Sequence, residues 1–281
     1  YTALLFIVLA YGLTIHARMA TLWIGLALLV AAYGIVYRRF FLSKSVLVIF
    51  GAGGYGVAMK LVSKVQEILW RTGHGSDLRN ASVNVSFALN WLSLRTWKAW
   101  GSIIIGQIQT INMVTGGLVI LFLFLFLFFL LRWISDRRKN NPVKPEENYY
   151  IILIFFFLCC TAMTIAAQSV SWLPGAAEGI SHGYKSSDYG VKAYTYLRYF
   201  GVYIGPLLMC GLSMLGQYGE EEKKAILFAV PVSGIFLFIW FTVIQPFIYE
   251  NVYTSEAFTG LSFFRRGEQF ELRHYLIALL W

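Results

Sequence analysis

Residues 118–131 read LVILFLFLFLFFLL, an unbroken run of Val, Ile, Leu and Phe that closes the longest apolar stretch of the chain, Gly101 to Leu131. The alternation of Leu and Phe has the period of a strand. In a membrane, however, a strand exists only within a closed barrel built from many such segments separated by turns. The rest of the chain offers this run no repeated partner, so it reads as a helix. The first half of the stretch is different in kind, because Gln107, Gln109, Thr110 and Asn112 interrupt it. Hydrocarbon offers no hydrogen bond to a carboxamide or a hydroxyl. The polar half is therefore expected to face protein or a cavity, and Leu118 to Leu131 to face lipid.

Outward from this stretch the pattern recurs. Of the 281 residues, 58% are hydrophobic and only 13% charged, against about 25% charged in ordinary soluble domains. Such a chain cannot coat a soluble globule, and it returns repeatedly to apolar runs near the roughly 20 residues that cross a bilayer. The fold class expected is all-α: a polytopic transmembrane helical bundle with interfacial helices in its loops, one transmembrane domain over residues 1–281. The runs predict about seven or eight crossings. Both ends read as cuts, since Tyr1 opens inside an apolar run without a charged leader and HYLIALLW begins a span that stops short. The net charge of +9 is spread between the apolar runs. That spacing assigns Lys and Arg to topology and anionic contacts, and it excludes nucleic acid as partner. Cys159, Cys160 and Cys210 lie inside apolar runs without metal-like spacing to histidine, so neither a disulfide nor a metal site is implied.

Tyr1 to Ile15 and Met19 to Tyr37 read as a helical hairpin tipped by His16, Ala17 and Arg18. Ser45 to Met59 reads as a third, glycine-rich span, and Lys60 to Trp100 as a long mixed connection whose Trp70, Trp91, Trp97 and Trp100 fit an interfacial belt. Arg132, Arg137, Arg138, Lys139 and Lys144 mark a cytoplasmic connection. Tyr149 to Val170 then crosses outward, Ser171 to Tyr196 forms an outer loop, and Tyr199 to Leu215 returns. Ala225 to Tyr249 crosses outward again, bent or ended by Pro231 and Pro246. On this reading two crossings, the third span and the stretch ending at Leu131, separate the connection at 38–44 from that at 132–144, which sets both on one face.

Gly51, Gly53 and Gly56 in VLVIFGAGGYG match the spacing of a dinucleotide fingerprint. That fingerprint needs a strand before it and an acidic residue ending a second strand about 20 residues on. Here an amphipathic segment follows, with Glu67 inside it, so close helix packing is the better reading. Asn80 and Asn84 head glycosylation sequons of the kind that arise by chance, and no nucleophile–base arrangement is supported by spacing. Glu178, Asp188 and Glu250 fall in outer loops, where such acids are usually just solvated. More telling are His16 and Arg18 at the hairpin tip and Arg198 and Tyr199 opening YLRYFGVYIGPLLMCGL. Charges that interrupt apolar sequence are costly without a partner or a task. With this topology the four converge at the outer membrane boundary, where guanidinium groups match a phosphate in forked geometry. The plainer alternative is that each Arg snorkels to ordinary lipid phosphate.

At these two places the chain resembles bacterial GT-C membrane glycosyltransferases, relatives of protein O-mannosyltransferases and of the lipid A aminoarabinose transferase. LAYGLTIHARMATLWIGLALLVAAYGIVYRRF is similar to their helix, basic break, helix segment, with Thr14 to Arg18 where they carry a Thr-Arg or Thr-Lys pair. YLRYFGVYIGPLLMCGL is similar to their RY-containing helix start, with Gly205-Pro206 in place of Pro-Pro or Leu-Pro. The resemblance implies transfer of a sugar from a polyprenyl-phosphate carrier at the outer face of the bacterial cytoplasmic membrane. Arg18 and Arg198 would hold the carrier phosphate, with His16 and Tyr199 assisting. The loop from Ser171 to Tyr196, with Glu178, His182 and Lys185, would cover the sugar. The family's catalytic Asp is expected upstream of the matched segments, so no base is assigned. The implied partners are the bilayer and the lipid-linked sugar; no cofactor is called for beyond that donor, and a divalent metal is left open.

Two rival readings stand beside this one. An O-antigen polymerase or ligase would centre on Glu178, His182, Lys185 and Arg198. A non-enzymatic transporter of a lipid-linked glycan would line a central cavity with Gln107, Gln109, Asn112 and Gln245, and it predicts a repeat between halves. The sequence contains no such repeat.

Overall fold

In a computed structural model that describes residues 2–15, 19–39, 42–69, 92–138, 149–182, 193–194, 199–215, 219–239 and 242, every regular element is helical. Four helical stretches among the described residues are long and apolar enough to cross a membrane: Ala20–Tyr37, Lys44–Val65, Leu118–Asp136 and Tyr149–Ser171. Ala3–Leu13 and Gly201–Met214 are apolar but shorter. These helices mark an integral membrane protein, because a bilayer accepts a chain only when its backbone polar groups are satisfied within each segment. The chain divides into two compact units, Tyr1–Ala81 and Ser82–Trp281, described in turn.

The first unit contains α1 (Thr2–Ile15), α2 (Ala20–Tyr37), the short α3 (Lys44–Val46), a π-helical stretch (Leu47–Gly53) and α4 (Gly54–Leu69). Its small core forms around Trp23 on α2. The indole Nε1 donates to Leu9 O of α1 at 3.3 Å, and the ring meets Phe6 at 5.5 Å and Tyr55 at 5.7 Å between centroids. Phe6 lies over Gly51 and Trp23 over Gly54, where an added Cβ would stand at ordinary contact distance, 3.4 and 3.6 Å, so the packing tolerates alanine at both places. Residues 44–69 are helical throughout, so Gly51, Gly53 and Gly56 follow no strand, and the glycine-rich stretch serves close packing.

The second unit holds α5 (Leu94–Val114), α6 (Leu118–Arg138), α7 (Tyr149–Ser171), α8 (Leu173–His182), α9 (Gly201–Met214) and α10 (Gly219–Ile239). Here the structure departs from the single crossing expected over Gly101 to Leu131. The stretch is two helices, broken at Gly116 and Gly117, whose φ values are +57° and +85°. A left-handed glycine after the last turn and a bond from Gly117 N–H to Asn112 O at 2.8 Å end α5 in a Schellman-type turn. The apolar run that follows is helical, as its length requires. It is not uniformly lipid-facing: Leu123, Leu127 and Leu131 are exposed while Phe122 and Leu125 are fully covered, a helical stripe on each side.

Two clusters organise the unit. Phe122 and Leu125 of α6 pack with Ile151 and Ile154 of α7, Leu207 and Met214 of α9 and Ala225 of α10. The close seat of Phe122 over Gly211 leaves no room for a side chain at 211. The other cluster joins Ala99, Ile103 and Ile111 of α5 to Leu173 and Ala177 of α8, Tyr194, and Phe200 and Ile204 of α9. Because α9 gives its first residues to the cluster beyond the end of α7 and its last residues to the cluster at the start of α7, it runs back along α7. α9 and α10 each carry an interior proline, Pro206 and Pro231.

Candidate functional site

α5 is the axis of the second cluster and the most polar of the buried helices. At 100° per residue, Gln107 and Thr110 share one side of it and Gln109 and Asn112 nearly the opposite side. All four are buried, at 0, 3, 1 and 5% exposure respectively, which puts the polar half of the stretch against protein.

On the first side, Gln107 Nε2 donates to Gln168 Oε1 of α7 at 3.1 Å and to Ala193 O at 2.9 Å. Thr110 Oγ1 lies 2.7 Å from Gly106 O and 3.2 Å from Tyr194 O. Gln107 thus holds Ala193 O, and Thr110, whose single hydroxyl proton has Gly106 O as its nearer acceptor, lies beside Tyr194 O. Two turns nearer the start of α5 than Gln107, Trp100 Nε1 donates to Ser169 Oγ at 3.0 Å. Arg95 completes the set, placing both Nε and Nη2 on Ala177 O at 3.1 and 2.6 Å, which fastens α8 across α5. The stretch expected as an outer loop from Ser171 thus begins with a helix lying on α5. Its sequence, LPGAAEGISH, hides this because Pro at a first turn and two Gly read as loop.

The hydrogen bonding is incomplete. Gln107 Oε1, Gln109 Oε1, Asn112 Oδ1 and Gln168 Nε2 are buried without a hydrogen-bond partner among the described residues. Unfilled polar atoms at such depth cost about 1–3 kcal/mol each and point to a group that completes them. Gln168 is not among the residues expected from the sequence; its one signal there is a carboxamide within the apolar span IILIFFFLCCTAMTIAAQ.

Of the residues expected to form the site, Tyr199 lies half-buried in the turn that opens α9, and Glu178 is exposed on α8. His182 is the last residue of α8 by backbone. His16, Arg18, Lys185, Arg198 and, from the transporter reading, Gln245 lie outside the described residues. Tyr194 before Arg198 and Phe200 after it are both fully buried in the α5 cluster. α9 starts at Phe200 with no side-chain cap and no acidic residue in its first turn. Among the described residues no three His, Cys, Asp or Glu gather as metal ligands would.

Compared with protein-family models, with characterised proteins and with solved structures, the chain has no significant match. The functional reading therefore rests on its own residues.

Proposed function

We propose that this chain belongs to an integral membrane glycosyltransferase that moves a sugar from a polyprenyl-phosphate carrier to an acceptor at the outer face of the bacterial cytoplasmic membrane, within a polytopic bundle. The observation that carries the reading is the uncapped amino end of α9, which opens at Phe200 in a buried core that also holds Tyr194; in the sequence Arg198 and Tyr199 directly precede it. Free N–H groups at a helix start favour an anion, and a guanidinium beside them supplies the forked donors a phosphate accepts. Fixed donors of this kind stabilise a leaving phosphate because they need no reorganisation as charge develops. In this proposal α8, which Arg95 fastens to α5, lies beside the sugar.

The test is binding of decaprenyl phosphate to the full chain in lipid nanodiscs. Arg198→Ala is expected to weaken it by about tenfold or more, the loss of one charge-assisted pair. Unchanged affinity would remove the phosphate role.

A transporter of the lipid-linked glycan is the second reading, favoured by the burial of Gln107, Gln109 and Asn112 with unfilled oxygens. Movement of a labelled lipid-linked sugar between leaflets of sealed vesicles, with no acceptor present, separates it from a transferase.

A further inference from the structure

Gln109 and Asn112 stand one turn apart on a single stripe of α5, turned away from the side that carries Gln107. Both side chains are buried, and the carbonyl oxygen of each, Gln109 Oε1 and Asn112 Oδ1, lacks a hydrogen-bond partner among the described residues. On the other side of the helix the unfilled atoms are mixed, an acceptor on Gln107 and a donor on Gln168. Here both are acceptors. Whatever completes them therefore brings positive charge or protons and nothing else.

The break between α5 and α6 leaves a small gap beside Asn112. A Cβ added to Gly117 would find two atoms of the described residues within 4 Å beyond its chain neighbours, Ser233 Oγ of α10 at 3.9 Å and Asn112 Oδ1 at 4.0 Å. Both are oxygens. Leu237, one turn beyond Ser233, packs against the α5 cluster, so this side of α10 is turned to α5. The carboxyl end of α5 adds the negative end of a helix dipole at the same place. Hard cations take oxygen ligands of this kind, and neutral carbonyls replace the water of a monovalent ion in selective pores. Valence follows from the charges present: α5 has no acidic residue, and α10 has none from Ala225 to Ile239. The cost of stripping water from an ion rises with the square of its charge, so dipoles without a carboxylate favour one positive charge over two.

We infer that Gln109, Asn112 and Ser233 bind a sodium or potassium ion at the break between α5 and α6, tying α10 to the end of α5. The inference goes beyond the transferase and transporter readings and rests on neither. Sodium and potassium share the chemistry and are told apart by the salt used. Water is the other occupant these oxygens could accept, and the same experiment separates it from an ion.

The full chain in nanodiscs is unfolded by heat in choline, sodium or potassium chloride of equal ionic strength, and the retention of radioactive sodium, or of radioactive rubidium in place of potassium, is measured alongside. The expected result is a saturable rise in melting temperature of about 5 °C over choline with at least one alkali ion, and retention of that ion by the protein. Asn112→Leu abolishes both. Asn112→Asp, which adds a negative charge to the site, enlarges the rise, and Gln107→Leu, on the other side of α5, leaves it unchanged. Should Asn112→Leu not fold, Ser233→Ala decides, with an expected severalfold loss of affinity for the ion. Equal melting in the three salts with no ion retained overturns the site and leaves water on the oxygens. A response that survives both Asn112→Leu and Ser233→Ala overturns it as well.

Discussion

A Cβ added to Gly106 would lie 3.0 Å from Cβ and 3.2 Å from Cα of Tyr194, so α5 and the backbone at 194 touch with no space for a methyl group. Tyr194 gives way only by straining the bond from Gln107 to Ala193 O beside it. Gly106→Ala is therefore expected to destabilise the unit by about 1–3 kcal/mol through overpacking. Gly101→Ala on the same helix meets nothing within 4 Å and is expected to stabilise by about 0.5–1 kcal/mol. Thermal unfolding of both variants in detergent checks the opposite signs.

Thr110→Val keeps the shape of the side chain and removes its hydroxyl, leaving Tyr194 O without that donor. A cost of about 1–2 kcal/mol is expected. Gln107→Leu strips two acceptors, Gln168 Oε1 and Ala193 O, and should cost more. If the two variants unfold together with the parent protein, the hold on residues 193–194 does not matter to stability.

Arg95 grips one carbonyl through two nitrogens. Lysine has no fork with which to repeat this. Both Arg95→Ala and Arg95→Lys are expected to speed amide hydrogen exchange across Leu173–His182, with no change in α6. Exchange in α8 at the parent rate would show that α8 stays on α5 by apolar contact alone.

At Gly116 the left-handed backbone, φ +57°, lies where Asn is tolerated and β-branched residues are not. Gly116→Asn is expected to be near neutral, and Gly116→Val to lower stability by about 1–2 kcal/mol. Equal melting temperatures for the two would show that the turn is not what separates α5 from α6.

The membrane character was legible because it is written in long windows: a run such as LVILFLFLFLFFLL decides its environment whatever its neighbours do. The break at 115–117 was not, since Thr-Gly-Gly carries no charge and glycine is frequent within membrane helices. Only the tertiary arrangement shows that two helices with different surroundings meet there. The protein-facing role of Gln107, Gln109, Thr110 and Asn112 followed from polarity alone, yet which partners they meet depends on α7 and on residues 193–194, far away in sequence. Gln168 shows the same limit from the other side, because a single carboxamide near a helix end looks like an ordinary boundary residue until its partner is known. Tyr199 and Glu178 are described, whereas the basic residues expected beside them lie outside the described residues.

Pro206 and Pro231 leave Val202 O and Leu227 O without a donor four residues on, as proline has no N–H to give. Both residues are turned outward, at 48 and 70% exposure. Each helix thus lacks one rung of its backbone ladder, and a rod yields most cheaply where a rung is missing. Any bend in α9 or α10 is expected to hinge at these two points before it does so elsewhere along either helix.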